Sequence, residues 1–308
     1  MNMQTNAMPQ SFDGPTAIPA VASRTRPLYW SVRREIWENR SVYIAPLATA
    51  AVFLIGFLIS LIYLPARMRA ISALDPAHQR AAIATHYDIA AGLMMLTAML
   101  VGAFYSLGAF QSERRDRSIL FWKSLPVSDL TAVLAKAIVP IVILQLLAFA
   151  ITFVTQLVML LLSSAVLWAN GLSVTTLWTQ LSFFRMSLLL LYHLVTVHAL
   201  WYAPFYGYLL LVSAWARRAA FLWATLPLIA IGFVEKIAFH TSHLGSLLIS
   251  RLGGGSEALV MPNTMPMNPT THLTPVTYLA SPGLWLGLLF TALCLAAAVW
   301  LRRYRGPN

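Results

Sequence analysis

Five charged side chains stand side by side in the stretch SERRDRSILFWKSLP, which covers residues 112–126. They are followed by the apolar sequence ILFW and are, in order, Glu113, Arg114, Arg115, Asp116 and Arg117. Charges of both signs beside an apolar ridge are suited to recognising a partner protein by ion pairing and docking. On charge alone, the stretch fits equally well a simple anchor whose apolar side lies on the membrane surface.

Histidine is the other residue type here that could take part in chemistry, but the spacing of the histidines does not predict a metal site. His193 and His198 are five residues apart, which in an α-helix is a poor spacing for sharing one ligand. His240 and His243 share a helical face, and no HExxH string occurs. We expect the first pair to bond to a neighbouring helix and the second to lie at the membrane interface.

Carboxylates within the apolar segments and nucleotide-binding motifs are also scarce. Asp88 and Glu235 are the carboxylates nearest to the apolar segments, and both fall at predicted segment ends, so a proton or ion relay is disfavoured. The three lysines follow Trp, Ala and Glu, so the chain has no Gly-Lys-Ser/Thr loop for phosphates. No acid pair or Ser-His-Asp set can be argued, and we expect that the chain is not itself an enzyme.

The composition predicts an all-α integral membrane protein. Of 308 residues, 59% are hydrophobic and only 10% are charged, against about 25% charged in a soluble domain. The apolar residues form blocks long enough to cross about 30 Å of hydrocarbon as helices. A net charge of +11 is explained by basic loops beside membrane spans rather than by nucleic acid. Cys294 is the single cysteine, which excludes a disulfide within the chain.

Six spans are predicted, at about residues 42–64, 89–110, 131–162, 186–214, 219–240 and 282–301. We expect residues 1–26 to form a disordered tail and residues 27–305 to form one transmembrane domain. The fifth block is short and contains Pro227, so residues 237–249 are predicted to be a re-entrant segment. Pro126 ends the charged stretch, and Ser128 is predicted to cap the third span with Asp129 in its first turn.

The distribution of basic residues predicts the orientation of the spans. If the N-terminus is cytoplasmic, fifteen of the 21 Lys and Arg residues fall on the cytoplasmic side, which favours six spans with both ends inside. Ahead of the first span, an amphipathic segment mixes aromatic and charged residues. We expect it to lie along the interface as an elbow helix, with arginines toward lipid phosphates, and its marker residues are Trp30, Arg33, Arg34 and Trp37.

With these residues in view, the chain resembles the ABC-2-type permeases of ABC transporters. The common first cytoplasmic loop of that family has a Glu, an apolar helix, Leu-x-x-Pro-Val-Ser and a later Lys. The matching residues here are Glu113, Ser118, Leu120, Leu125, Pro126, Val127, Ser128 and Lys136. The resemblance covers about residues 27–305, through an elbow, six spans, this loop and a re-entrant region. One departure is Ser118-Ile119, where many relatives have Gly-Thr.

The resemblance implies a permease subunit of an ATP-driven exporter in the bacterial inner (plasma) membrane. It implies that two copies of the chain form a homodimer in contact with membrane lipids. It also implies that two copies of a separate ATPase bind to this dimer and that these ATPases bind ATP and Mg. This chain is expected to bind no cofactor and no metal itself. The segment 113–126 is then the coupling helix that docks in the ATPase, through Glu113, Arg114, Arg115, Asp116, Arg117, Ser118, Ile119, Leu120, Phe121, Trp122, Lys123 and Pro126.

Two other classes of function compete with this interpretation. A membrane anchor or sensory scaffold without a transport path would have the same spans, but no polar or small-residue stripe at a dimer interface. An intramembrane hydrolase would need a buried catalytic pair that the spans do not offer. The substrate is not predicted, since interface belts and helix packing explain the many Trp and Tyr residues.

Overall fold

A computed structural model describes residues 27–115, 127–252 and 279–304, which are helical and contain no strand. The helices before the charged stretch are α1 (Pro27–Glu38), α2 (Ser41–Leu61), α3 (Leu64–Ile71), α4 (Pro76–Gly108) and α5 (Gln111–Arg115). After it come α6 (Asp129–Ile138), π1 (Val139–Ile143), α7 (Leu144–Ala169), α8 (Thr175–Leu181), α9 (Phe183–His193), π2 (Leu194–Trp201), α10 (Ala203–Trp215), α11 (Ala220–Phe239), α12 (His243–Leu252) and α13 (Pro282–Tyr304). The predicted tail at residues 1–26 lies outside the described residues.

Six helical stretches of the described residues are long and apolar enough to cross a membrane. They agree in number with the prediction, and their bounds are Ser41–Leu61, His78–Arg114, Asp129–Ala169, Thr175–Trp201, Ala220–Phe239 and Pro282–Tyr304. The second and third extend well beyond the predicted 89–110 and 131–162. Asp88, predicted to lie at a segment end, lies inside α4.

The bundle has two ends that hold different segments. At one, the Glu113 end, the last turn of α13 meets α5 and α6 through Arg302, which pairs with Glu113 and Asp129. At the other, the Arg67 end, α3 packs with α4, α7 and α8 around Met68, Ile83 and other apolar side chains. α1, α5, the start of α6 and the last turn of α13 therefore meet at the Glu113 end of the bundle.

The core runs along the middle of the bundle. Its largest cluster joins α2, α4, α6, α7, α10 and α13, and includes the fully buried Val42, Ala98, Leu144, Leu210 and Ala298. Small alanines at these contacts let helix backbones approach closely, as is usual for packing in lipid. α11 takes little part, because only Ala220 and Ala224 of its residues are buried. The remaining face of α11 is apolar and outward, which suits contact with acyl chains.

The third and fourth spans each contain a stretch of π-helix. π1 begins at Val139 and includes Pro140, which has no N–H for an α-helical hydrogen bond. Gln145 donates its side-chain N–H to the Pro140 carbonyl at 3.0 Å and so satisfies that carbonyl oxygen. π2 covers eight residues and contacts π1. π-helices are rare and frequently mark functional sites, so the region where π1 and π2 meet is a candidate functional region.

Local signals at two helix starts determine where the chain turns. Ser128 caps α6 as predicted, with its hydroxyl accepting from the Thr131 N–H at 3.1 Å. Glu235 has a related role that was not predicted. Its carboxylate accepts from the backbone N–H groups of His243 and Leu244, the latter at 2.9 Å, at the start of α12. An anion at this position is stabilised by the positive end of the helix dipole.

Candidate functional site

A buried ion-pair network lies at the Glu113 end, directly before the charged stretch. We call it the Lys136 network, and its members are Arg34, Glu35, Glu113, Asp129, Lys136 and Arg302. Three cations face three carboxylates, so the set is neutral as a whole. The members come from α1, α5, α6 and α13, of which α1 and α13 are the first and last helices of the described chain. The network therefore ties four elements together at one point.

Lys136 is at the centre of this arrangement. Its side chain is 2% exposed, and Nζ lies 2.9 Å from Glu35 Oε1 and 3.1 Å from Glu113 Oε1. The Phe110 ring covers the ammonium group at 5.4 Å. Glu35 is 1% exposed and also accepts from the Tyr105 hydroxyl at 3.0 Å. Because both carboxylates are almost completely shielded from water, these partners supply the hydrogen bonds and opposite charge that water would otherwise provide.

Two arginines complete the network at its edges. Arg302 donates Nη1–H to Glu113 Oε2 at 2.8 Å and Nε–H to Asp129 Oδ1 at 3.0 Å, so it bridges α5 and α6. Arg34 lies 2.7 Å from Glu35 and 3.4 Å from Glu113. Planar guanidinium groups suit such forked contacts with two carboxylates. Both arginines therefore connect α1 and α13 to α5.

Glu38 borders the network on its exposed side. Partial burial raises the pKa of its carboxyl above the usual value, while Arg34, whose Nε lies 3.6 Å away, acts in the opposite direction. The Arg34 guanidinium lies closer to Glu35, at 2.7 Å, than to Glu38, so its main contact is with the buried carboxylate.

Arg114, the next residue along α5, contacts a different helix. Its guanidinium donates to the backbone carbonyls of Ser213, Ala214 and Ala216, the last at 2.8 Å. These are carbonyls at the end of α10, where a cation is stabilised by the negative end of the helix dipole. In addition, the Phe110 N–H donates to Ser213 Oγ at 3.0 Å. The start of the charged stretch is thus joined to the end of α10 as well.

The predicted coupling residues divide into two groups. Glu113 and Arg114 are bonded within the bundle, so in this structure they do not stand on an exposed rim. Arg115 closes α5. The rest of the predicted set lies outside the described residues, and comprises Asp116, Arg117, Ser118, Ile119, Leu120, Phe121, Trp122, Lys123 and Pro126.

The predicted elbow residues occupy two faces of α1. Trp30 and Trp37 are mostly exposed, and Arg33 lies between them, 5.3 Å and 4.5 Å from the two ring centroids. This face has the aromatic and basic character expected of a helix at a lipid interface. Arg34 differs from the expectation that it faces lipid phosphates, because Glu35 and Glu113 hold it inward.

A second polar cluster lies inside the bundle, along π2. A π-helix closes its hydrogen bonds between residues five apart, so the spacing that disfavoured His193 and His198 in an α-helix brings them together here. Their ring centroids are 5.5 Å apart, and the Tyr202 ring lies 5.1 Å from His198. Within the described parts of the chain, His198 Nδ1 is buried without a hydrogen-bond partner, so the predicted bond to a neighbouring helix is not made by this atom.

The end of π2 also holds the outer segments of the chain. Tyr202 donates its hydroxyl to the Leu252 carbonyl at 2.7 Å, and the Trp201 indole donates to the Arg251 carbonyl at 3.0 Å. Arg251 in turn stacks on Trp201, 4.1 Å from the ring centroid, and donates to the Gly283 carbonyl at 3.0 Å. α12 and the start of α13 are therefore fixed to the irregular part of the fourth span.

Comparison with protein-family models, with curated proteins and with solved structures gives no match to this chain. Among the described residues, no group of three His, Cys, Asp or Glu side chains is placed to hold a metal ion. Sequence reasoning singled out Glu113 and Lys136 but missed Glu35, Asp129 and Arg302 as their partners. The available signal for Glu35 was its charge on the side of the amphipathic segment that packs against the rest of the protein.

Proposed function

We propose that this chain is the transmembrane permease subunit of an ABC exporter of the ABC-2 type, coupled to a separate ATPase through residues 113–126. The observation that carries the proposal is the position of Glu113. The first residue of the proposed coupling segment is buried in the Lys136 network, which joins it to α1, α6 and α13. A force on the following residues would therefore reach three other elements through short ion pairs.

In this proposal the charged stretch has two mechanical parts. Glu113 and Arg114 are the root, bonded to the bundle by their side chains. Arg115, Asp116 and Arg117 steer the approach of the ATPase, and Ile119, Phe121 and Trp122 fill its docking cleft. ATP-driven closure of two ATPases, with ATP and Mg bound to them, moves two such segments. The spans attached to each root then reorient as rigid bodies.

The finer architecture belongs to the same proposal. α1 is the elbow helix at the cytoplasmic face, and α12 is the re-entrant segment that returns the chain toward the last span. Both chain ends are cytoplasmic, in a bacterial inner membrane, and two copies of the chain form a homodimer around the path. The support for this orientation is that Arg34 of α1 and Arg302 of α13 both pair with Glu113, so these two basic segments meet at the same end of the bundle as α5.

Site-specific photocrosslinking in native membranes tests the docking step. A photoreactive residue at Trp122 is expected to capture an ATPase that carries a phosphate-binding loop, identified by mass spectrometry. The matched control is Trp168, which is 79% exposed at the opposite end of the bundle and should capture none. Lipid alone at Trp122, or equal ATPase capture at both sites, would contradict the proposal.

A second experiment separates the root from the docking residues. Scrambling only residues 116–126 leaves Glu113 and Arg114 in place, so the chain should still fold and insert while ATPase binding is lost. A scrambled chain that retains substrate-stimulated ATP hydrolysis by its partner would refute coupling through this segment. A partner whose hydrolysis ignores every candidate substrate, with the segment intact, would favour the anchor or scaffold instead.

A further inference from the structure

Two imidazole rings inside the fourth span have no role in the proposed function. His193 directly precedes π2 and His198 lies within it, and their ring centroids are 5.5 Å apart with 54° between the ring planes. His198 is 5% exposed, and His193 is partly buried. We call these two residues the histidine pair, and we propose that they bind a soft monovalent metal ion, Cu⁺, between their rings.

The first argument is that neither ring is satisfied by the chain. Within the described residues, His198 Nδ1 is buried and has no hydrogen-bond partner, and the His193 ring makes no hydrogen bond either. Buried polar nitrogen atoms are almost always bonded, and an ionisable side chain inside a membrane span is costly without a partner. A neutral imidazole presents one nitrogen lone pair, which a proton donor or a metal ion can occupy. The histidine pair therefore offers two such lone pairs at one place.

The second argument is the separation of the two rings. Imidazole–metal bonds of about 2 Å, with about 1 Å more from each nitrogen to its ring centre, place the centroids about 6 Å apart in a linear bridge. A bent bridge shortens this separation, so the observed 5.5 Å is suitable for one shared ion. The Tyr202 ring packs edge-on against His198, 5.1 Å away between centroids, and supports that ring in its position.

The number of ligands favours Cu⁺ over the common divalent ions. No third His, Cys, Asp or Glu joins the pair in the part of the chain that the structure describes, so these side chains do not complete a tetrahedral zinc site. Calcium and magnesium need several oxygen ligands. From Leu130 to Val234 the sequence contains no Asp or Glu, so this span has no carboxylate to compensate a divalent charge. Cu⁺ carries one charge, accepts two-coordinate binding and has affinity for imidazole nitrogen.

The surroundings of the pair disfavour hydrated cations such as Na⁺ and K⁺. Leu194 and Val197, which lie between the two histidines in sequence, are almost completely buried in apolar clusters. A hydrated ion would lose its water shell there without oxygen ligands to replace it, whereas a soft ion forms coordinate bonds to nitrogen. His193 keeps part of its surface exposed, so an ion can reach the pair from that side.

Competition for Cu⁺ tests the proposal without any ATPase, so its outcome is independent of the proposed function. The purified chain, without an affinity tag, is titrated anaerobically with Cu⁺ in the presence of bicinchoninic acid, whose copper complex is coloured. We expect the chain to withdraw one equivalent of Cu⁺ from the chelator, and X-ray absorption to show two nitrogen neighbours. His198→Phe keeps an aromatic ring but removes the nitrogen ligand, and should weaken this binding by at least about a hundredfold.

Matched variants distinguish a built site from binding to histidine in general. The double variant His240→Phe, His243→Phe removes two exposed histidines, so Cu⁺ binding should remain unchanged. His198→Met restores a soft ligand and should keep the affinity within about tenfold of the original, which separates loss of the ligand from misfolding. Equal weakening by His198→Phe and by the double variant would overturn the proposal. It would also be overturned if the original chain withdrew no Cu⁺, or bound Zn²⁺ as tightly as Cu⁺.

Discussion

Replacing Lys136 by Met is the most direct test of the Lys136 network. The substitution keeps the length and apolar stem of the side chain but removes the ammonium group that lies 2.9 Å from Glu35 and 3.1 Å from Glu113. Two buried carboxylates then share one cation fewer. Removing one partner of a buried ion pair typically costs about 3–5 kcal/mol, because an uncompensated charge is left behind. We expect a loss of stability of this size.

The measurement is equilibrium unfolding of the purified chain in mixed micelles. Lys236→Met is the matched control, because Lys236 is exposed on α11 and the structure gives it no ion pair among the described residues. This control should change stability by about 0.5 kcal/mol or less. Under the proposed coupling to an ATPase, the Lys136 variant should also weaken substrate-stimulated ATP hydrolysis in membranes, because it loosens the contacts of Glu113 within the network.

A double variant shows whether the loss comes from the network itself. Glu113→Gln neutralises one of the two carboxylates that Lys136 binds, so the combined variant should lose less than the sum of the single losses by about 1–3 kcal/mol. If the losses add, the two side chains do not interact in the folded protein. If Lys136→Met is no more destabilising than Lys236→Met, the reasoning about the network is refuted.

Two further predictions concern the fourth span and its neighbours. A Cβ added at Gly287 would overlap the Arg251 guanidinium and lie 2.9 Å from Pro204 Cγ, so Gly287→Ala should cost about 1–3 kcal/mol by displacing both groups. Gly232→Ala meets nothing within 4 Å and should be neutral or slightly stabilising in the same unfolding assay. In a background without the native cysteine, cysteines at positions 193 and 198 should form a disulfide on oxidation, detected by mass spectrometry. An α-helix would place these positions about 140° apart, so failure to form it would contradict π2.

The sequence alone was sufficient for the features that depend on local chemistry. Long apolar blocks determine helices of membrane-spanning length, because every backbone polar group in hydrocarbon must be satisfied within its own helix. Ser128 followed by Asp129 identified the start of α6 correctly, since a cap needs only the next few backbone N–H groups.

The tertiary structure alone decided how the polar side chains are used. Glu35 and Lys136 are 101 residues apart, and nothing within either segment specifies the other as a partner. A buried charge is stable only where distant elements supply its counter-ion, so the role of Glu35 depends on the packing of four elements and not on the pattern of α1. The pairing of His193 with His198 was missed for a related reason: it depends on a change of helical register within one span, which residue types do not reveal.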